Sequence, residues 1–265
     1  MKISVDCGHC LLMRVHYQTM LATDDKNLQF KAIKKGIEML DETFKEGVPA
    51  GFVSTLVHRA VYEVLGCDPY INEKKLSNEI AMRMFPYAKS LIEQGDPDPV
   101  ERLRRAFIIS AIGNSFDFGV QGFDVDADHF DEVFADLYEK GLDIDDTVRI
   151  IPLLDNVLIF EDNCGEIVFD MLLFEELRNY GSRVGLVVRG APILTDATLA
   201  DVEEFGLSEK VDYILTTGSN AVGGVWQKCR KNCMRRLKMP LSLSARAWQI
   251  MKLSRNTICL QSCIF

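Results

Sequence analysis

Residues 159–170 read IFEDNCGEIVFD, in which one apolar run ends in two acidic residues and an amide before a second apolar run begins. The pattern predicts a buried strand over Val157–Phe160 and a helix centred on Val168–Leu177. Further along the chain, Val184–Val188 and Tyr213–Leu215 are predicted as buried strands, with another helix between them. Short apolar strands that alternate with helices are typical of a parallel sheet wrapped by helices. The sequence therefore predicts an α/β fold.

Polar residues follow each of these predicted strands. Asp162 and Asn163 follow the first strand, Asp196 lies in the segment after the second, and Gly218-Ser219-Asn220 follows the third. In such sheets ligands bind outside the carboxyl ends of the strands. Two carboxylates and an amide oxygen suit Mg²⁺ or Mn²⁺ better than zinc, and the backbone N–H groups of a turn that opens toward a helix can hold a phosphate. The alternative is that Asp162 and Asp196 only cap helices, but three polar strand ends together favour a site.

The chain before this sheet has a different pattern. Apolar residues recur at helical spacing over Phe30–Leu40, Val53–Val61 and Phe130–Leu137, so residues 1–145 are predicted to form a mainly helical region. Gly141 stands where a glycine would end the last of these helices. The α/β region is then expected over residues 146–223.

Length and composition exclude several classes of protein. The chain has 265 residues, 48% of them apolar, which is enough for one large domain or two modest ones. It contains no apolar run long enough to span a membrane, and its N-terminus MKISVDCGHC lacks the apolar region of a signal peptide. A net charge of −9 argues against nucleic acid or an anionic membrane as partner. The eight cysteines are not spaced as a disulfide framework, so we expect a soluble cytoplasmic protein.

Five motifs, in chain order, resemble those of one known family. Asp162–Asp170 reads DNCGEIVFD and Arg189–Thr198 reads RGAPILTDAT, and both resemble motifs of the metal-dependent damage-control phosphatases, long catalogued as a domain of unknown function (DUF89). Cys7–Arg14 resembles the N-terminal Cys-x-x-Cys-x-x-x-Arg of the archaeal-type branch. Gly66–Tyr70 and Gly113–Asp117 resemble two further signatures of that branch.

The resemblance implies a helical N-terminal region joined to a Rossmann-like, three-layer α/β/α domain with a mostly parallel sheet. It also implies hydrolysis of phosphate esters of small metabolites, sugar phosphates among them, with a divalent ion (Mn, Co, Ni or Mg) as cofactor. Asp162, Asn163 and Asp196 are then expected to bind the metal and carry catalysis, with either water or a carboxylate such as Asp162 as nucleophile. The residues expected to bind substrate and its phosphate are Asn114, Asp117, Arg189, Gly218, Ser219 and Asn220. The sequence departs from its relatives at Thr195, where they often carry Asn.

Cys7 and Cys10 form a single Cys-x-x-Cys pair. Structural packing or a local thiol cluster is the favoured interpretation, since no second such pair occurs in the body of the chain. A metal site remains an alternative if folding brings His9, His16 and Cys67 close to the pair, and a redox pair is a third.

Residues 224–265 differ from the rest of the chain. They hold nine Lys or Arg and no Asp or Glu, whereas the remaining 223 residues hold 21 basic and all 39 acidic residues. The resembled family ends in a Lys-Gly-x-x-Asn-Tyr/Phe-Glu segment whose lysine contributes to the phosphate site, and this reading frame lacks it. Back-translation of Ala245–Leu253 in a shifted frame, however, permits Lys-Gly-Met-Ala-Asn-Tyr-Glu-Thr. We therefore expect that the frame slips near Gly223–Gly224 and that the tail is flexible or loosely docked.

Two other interpretations of the chain follow from this tail. In the first, the tail is a genuine basic extension that binds an acidic partner. In the second, the loss of the family's C-terminal segment disables the product. The function that the resemblance implies is thus a metal-dependent phosphatase acting on a small phosphorylated metabolite. The alternative is a non-catalytic metal- or metabolite-binding relative. Neither the substrate nor the oligomeric state follows from the sequence.

Overall fold

The computed structural model describes residues 2–115, 130–222, 251–254 and 257–261. The helices are α1 (Val5–Ala22), α2 (Lys26–Thr43), α3 (Ala50–Leu65), α4 (Ile71–Glu93), α5 (Pro99–Ser115), α6 (Phe130–Lys140), α7 (Thr147–Ile150), α8 (Glu166–Tyr180) and α9 (Leu199–Glu204). The strands are β1 (Asn156–Phe160), β2 (Arg183–Val188), β3 (Tyr213–Thr216), β4 (Met251–Ser254) and β5 (Thr257–Gln261). Strands β1 to β3 and the helices between them lie within a few residues of their predicted positions, which confirms the predicted alternation.

The strands form one sheet in the order β3-β2-β1-β5-β4. Strand β1 pairs in parallel with β2, with Leu158 opposite Gly185, and β2 pairs in parallel with β3. The carboxyl ends of these three strands therefore meet at one edge of the sheet, as the sequence predicts. The chain has the predicted α/β class, with a mostly parallel sheet that follows a helical region.

Both faces of the central strands β1 and β2 are buried. Val157 and Ile159 of β1 belong to one apolar core with residues of α8 and α9, so both crossover helices cover the same face. Leu158 and Phe160 point to the opposite face and are buried as well. A central strand covered on both sides is the arrangement that a three-layer α/β/α domain requires.

The helices α1, α2 and α3 pack around a second apolar core that includes Val15 and Val57. Helix α2 approaches α1 closely at Gly36, where an added Cβ would lie 2.7 Å from Val15 Cγ1. Phe30 and Ile37, part of the apolar pattern that predicted α2, are 73% and 50% exposed, because the buried face of the helix instead carries Gln29, Ala32, Gly36 and Leu40. Among the described residues, none of the helices is both long and apolar enough to cross a membrane.

Part of the tail lies in the sheet. Strand β5 pairs in parallel with β1, with Leu260 opposite Ile159, and β4 pairs in antiparallel fashion with β5. The prediction of a loosely docked tail is therefore wrong for the backbone of residues 251–254 and 257–261. The physical reason is the edge of β1 that β2 leaves open, whose N–H and C=O groups can pair with any strand-forming segment.

Candidate active site

The loops after β1 and β2 bind each other at the carboxyl edge of the sheet. Asn163 and Asp196 form an isolated antiparallel bridge, and the Ala197 N–H donates to the Asp162 carbonyl at 2.7 Å. The Cys164 N–H donates to the carbonyl of residue 195 at 2.8 Å. The three predicted metal ligands, which come from two separate strand ends, are thus brought together by backbone hydrogen bonds.

Arg189, the first residue after β2, lies between the two predicted carboxylate ligands. Its Nε–H donates to Asp196 Oδ2, and its Nη2 group donates to Asp162 Oδ1 at 3.2 Å. The side chains of Arg189 and Asp196 are each only 8% exposed, and that of Asp162 is 23% exposed. Two carboxylates from different loops therefore converge on one positive charge in a largely buried position.

This arrangement fits a divalent cation by the chemistry of its donors. The carboxylates of Asp162 and Asp196 already face a common positive charge, and Asn163 carries an amide oxygen, Oδ1, that accepts a hydrogen bond from Thr195 Oγ1 at 3.1 Å. Oxygen donors of this kind suit Mg²⁺ and Mn²⁺. Within the described ranges, no group of three or more His, Cys, Asp and Glu side chains is arranged to hold a metal ion. A cation here would therefore need the amide of Asn163 as its third ligand.

Asn114, predicted to lie near the substrate, is buried beneath this loop. Its Nδ2 group donates to Glu166 Oε2 at 2.7 Å, and the same oxygen accepts the Asn163 N–H at 3.3 Å. Asn114 is therefore tied to the backbone of Asn163 through Glu166, a residue that the sequence pattern did not single out. Asp117, the other residue predicted near the substrate, lies outside the described residues.

Two further carboxyl groups are buried next to the proposed ligands, those of Glu161, which precedes Asp162, and of Asp170 in α8. Burial raises the pKa of Glu161 well above its usual range, and the neighbouring Asp170 and Glu166 raise it further. Burial also raises the pKa of Asp170 to about 7, against the opposing effect of the hydrogen bond that Ser110 Oγ donates to it. The pair of Glu161 and Asp170 consequently holds a proton near neutral pH. The sequence pattern assigns neither residue to the site: Glu161 stands only at the end of an apolar run, and Asp170 only at the end of a motif.

Helix α4 contacts the start of α8 through the side chain of Asn78. Asn78 Oδ1 accepts the Gly165 N–H at 2.8 Å, and Asn78 Nδ2 donates to Asp201 Oδ1 at 3.2 Å. The Cys164 thiol also donates to Asp201 Oδ1, at 3.2 Å. Burial, followed by the charge of Asp201, raises the pKa of Cys164, so this thiol stays protonated and acts as a hydrogen-bond donor.

The Gly218-Ser219-Asn220 turn lies beside the loop that carries Arg189. The Gly190 N–H donates to the Ser219 carbonyl at 3.1 Å, and an added Cβ on Gly190 would lie 2.5 Å from Ser219 N. Asn220 Oδ1 accepts from Arg59 Nε at 2.8 Å, so this side chain is engaged by α3. No helix begins within residues 218–222, and the chain after them lies outside the described residues.

The N-terminal cysteines are free thiols with a local structural role at one of them. Cys7 Sγ accepts the Ser4 N–H at 3.3 Å at the start of α1, whereas Cys10 and Cys67 are exposed. This contact gives Cys7 a role at the start of α1, and the role of the Cys7–Cys10 pair stays a prediction. His9 and His16 join no metal-binding cluster among the described residues.

Comparison with known proteins gives consistent matches. A family model described as "Damage-control phosphatase ARMT1-like domain" matches residues 3–240. A protein named "Damage-control phosphatase" from Archaeoglobus fulgidus is 39% identical over 225 residues, which cover 84% of this chain and 77% of the relative. A damage-control phosphatase from Pyrococcus horikoshii is 29% identical over 228 residues, which cover 84% of this chain and 76% of that relative.

A solved structure has the same fold. The crystal structure of a DUF89 family protein from Pyrococcus horikoshii matches this chain with a TM-score of 0.74 and 25% sequence identity. The match covers 88% of this chain and 82% of that protein, so it includes the helical region as well as the sheet.

Proposed function

This chain belongs to the damage-control phosphatase ARMT1-like family, and we propose that it is a divalent-metal-dependent phosphatase that hydrolyses phosphate monoesters of small, damaged metabolites, sugar phosphates among them. The observation that carries the proposal is the convergence of Asp162 and Asp196 on Arg189 at the carboxyl edge of the sheet. The oxygen donors gathered at this edge could hold a divalent cation, and the guanidinium group of Arg189 beside them could bind an anion.

Three residues are proposed to hold the metal ion. Asp162, Asn163 and Asp196 supply two carboxylates and an amide oxygen, with Mn²⁺, Co²⁺, Ni²⁺ or Mg²⁺ as the candidate ions. When bound, such an ion supplies positive charge to a phosphate oxygen and lowers the pKa of a coordinated water. The hydrogen bond from Thr195 Oγ1 fixes the orientation of the Asn163 amide, so that its oxygen is held in place.

Arg189 and the neighbouring turn are proposed to hold the substrate phosphate. A guanidinium group is planar, always charged and able to donate two parallel hydrogen bonds to a phosphate. The turn at Gly218-Ser219-Asn220 lies next to Gly190, so its backbone is within reach of an anion bound by Arg189. Phosphoryl transfer needs little covalent chemistry beyond positioning and charge neutralisation, which these groups provide.

A substrate panel tests this function. The purified chain is assayed for release of inorganic phosphate from p-nitrophenyl phosphate and from a set of sugar phosphates, with each of the four metal ions in turn. Release that depends on an added ion supports the proposal. The absence of release from every substrate with every ion would contradict it and would favour a non-catalytic relative.

A further inference from the structure

Leu194 has an unusual backbone conformation beside the site. Its φ is +47°, and it is the only described residue other than glycine with a positive φ. Residues that carry a Cβ rarely adopt a positive φ, so surrounding contacts must hold this backbone conformation in place. Leu194 is the second residue of a turn that closes where the Asp196 N–H donates to the Ile193 carbonyl at 3.1 Å. The strained residue therefore lies two positions before a proposed metal ligand.

Helix α3 supplies the contact that holds this turn. The Leu194 N–H donates to Tyr62 Oη at 3.0 Å, across 132 positions of the chain. Leu194 is buried, with its side chain in a small apolar cluster that also contains Tyr70 and the partly buried Tyr62. A buried N–H that the turn itself does not use requires such an acceptor. Burial raises the pKa of Tyr62, the charge of Asp68 raises it further, and the charge of Asp196 makes a smaller contribution in the same direction.

Tyr62 belongs to a face of α3 that contacts two of the strand-end loops. Thr55, Arg59 and Tyr62 recur at a spacing of four and three residues, so they lie on one side of the helix. Thr55 Oγ1 accepts the Val222 N–H at 2.9 Å, and Arg59 Nε donates to Asn220 Oδ1 at 2.8 Å. The helical region therefore contacts the loops after β2 and β3 through polar side chains at regular intervals.

We propose that Tyr62 is a positioning residue: its hydroxyl oxygen holds the 193–196 turn in its strained conformation and so sets the position of Asp196. This inference rests on the proposed function for its effect on catalysis, but its effect on the turn does not depend on that function. Loss of the hydroxyl leaves the Leu194 N–H without this acceptor, so the turn relaxes and Asp196 moves relative to Asp162.

The test replaces Tyr62 by Phe, which keeps the ring and its packing and removes the hydroxyl. Tyr138→Phe is the matched control, because the Tyr138 hydroxyl is also hydrogen-bonded to the backbone, in this case as donor to the Leu91 carbonyl in the helical region. Amide hydrogen exchange of the metal-free protein is followed by mass spectrometry in peptides that cover residues 190–199. Tyr62→Phe is expected to speed exchange in this segment by about tenfold or more, and Tyr138→Phe to leave it unchanged.

Catalysis gives a second readout. Tyr62→Phe is expected to lower kcat for phosphate release by about 10- to 100-fold, since a displacement of about 1 Å can have such an effect, while KM changes much less. Leu194→Gly removes the need for a holding contact, because glycine adopts a positive φ readily. In the Leu194→Gly background, the further substitution Tyr62→Phe should therefore lower kcat by less than about threefold.

The outcomes separate the inference from the function on which it rests. Unchanged exchange of residues 190–199 in Tyr62→Phe would overturn the positioning role, whatever the activity. Faster exchange in a chain whose wild-type form releases no phosphate would support the role of Tyr62 in holding the turn and would reject the proposed function. An equal loss of kcat from Tyr62→Phe in the wild-type and Leu194→Gly backgrounds would show that the hydroxyl acts otherwise than through Leu194.

Discussion

Arg189 donates its Nε–H to Asp196 Oδ2, and both side chains are almost fully buried. The same guanidinium contacts Asp162, so one arginine faces both proposed carboxylate ligands and offsets one of their two negative charges. Removal of one partner from a buried ion pair leaves an uncompensated charge and typically costs about 3–5 kcal/mol. The metal-free protein therefore depends on Arg189 for stability.

Arg189→Met should lower the Tm of the metal-free protein by about 10 °C, at roughly 2–4 °C for each kcal/mol in a chain of this size. Added Mn²⁺ should raise the Tm of this variant more than that of the wild type, because the ion replaces the missing positive charge. Differential scanning fluorimetry with chelator and with Mn²⁺ measures both effects. Arg149→Met is the control, since the Arg149 side chain is 83% exposed and its pair with Asp146 should contribute at most about 1 kcal/mol. A metal-free Arg189→Met protein as stable as the control variant would contradict the expected role of the guanidinium.

Substitution of each proposed ligand should weaken metal binding while the chain stays folded, although Asp196→Ala also removes a partner of the buried Arg189 and should lower the Tm. Asp162→Ala, Asn163→Ala and Asp196→Ala should each weaken Mn²⁺ binding by about 100-fold or more in titration calorimetry, because a second ligand cannot take over the lost coordination. Asp155→Ala is the matched control: Asp155 is exposed and precedes β1, at the opposite end of the same strand. A variant that binds Mn²⁺ like the wild type identifies its residue as a cap and not a ligand.

The buried pair of Glu161 and Asp170 should make stability depend on pH. Because the folded pKa of Asp170 is raised to about 7, the folded protein holds a proton that the unfolded chain has already released above about pH 4. The unfolded state then binds fewer protons, so the free energy of unfolding falls as pH rises from about 4 to about 7. The predicted direction is thus lower stability at pH 8 than at pH 5 from this pair.

Asp170→Asn tests this dependence by removing one of the two ionisable groups while keeping the shape of the side chain. The fall in Tm between pH 5 and pH 8, measured in chelator, should be smaller in the variant than in the wild type by several degrees. Glu175→Gln is a suitable control, because Glu175 is on the same helix but half exposed beside Lys89. Equal pH dependence in the wild type and Asp170→Asn would show that the pair does not titrate as described.

Sequence pattern alone located the strands that build the site. Runs such as Val157–Phe160 are short, continuously apolar and bounded by polar residues, so their length and their boundaries identify them as strands buried on both faces. The proposed ligands were identified for a related reason, since parallel strands bring their carboxyl ends to one edge.

The supporting contacts could not be predicted in the same way. The bond from Leu194 to Tyr62 and that from Asn78 to Gly165 join the helical region to the sheet across long chain separations. Such contacts depend on how the two parts pack, which local periodicity does not determine. Helix α8 is buried almost all round and has no polar face. The sequence pattern therefore does not show which way Asp170 points.

The origin of the tail is tested in the coding DNA. A frame slip near Gly223–Gly224 predicts that the alternative frame over Ala245–Leu253 encodes Lys-Gly-Met-Ala-Asn-Tyr-Glu-Thr. The matched family range ends at residue 240, inside this tail, so the slip remains a prediction. Codons incompatible with that segment would reject it and would favour a native basic extension whose strands β4 and β5 belong to the sheet.

The central claim is that Asp162, Asn163 and Asp196 hold a divalent ion that phosphate hydrolysis requires. The most direct measurement is the rate of phosphate release from p-nitrophenyl phosphate by the wild-type chain with Mn²⁺, after exhaustive chelation, and after Mn²⁺ is restored. We predict release with Mn²⁺, its loss on chelation and its recovery on restoration, with no recovery in Asp196→Ala. Full release by protein that metal analysis finds free of divalent ions would contradict the account.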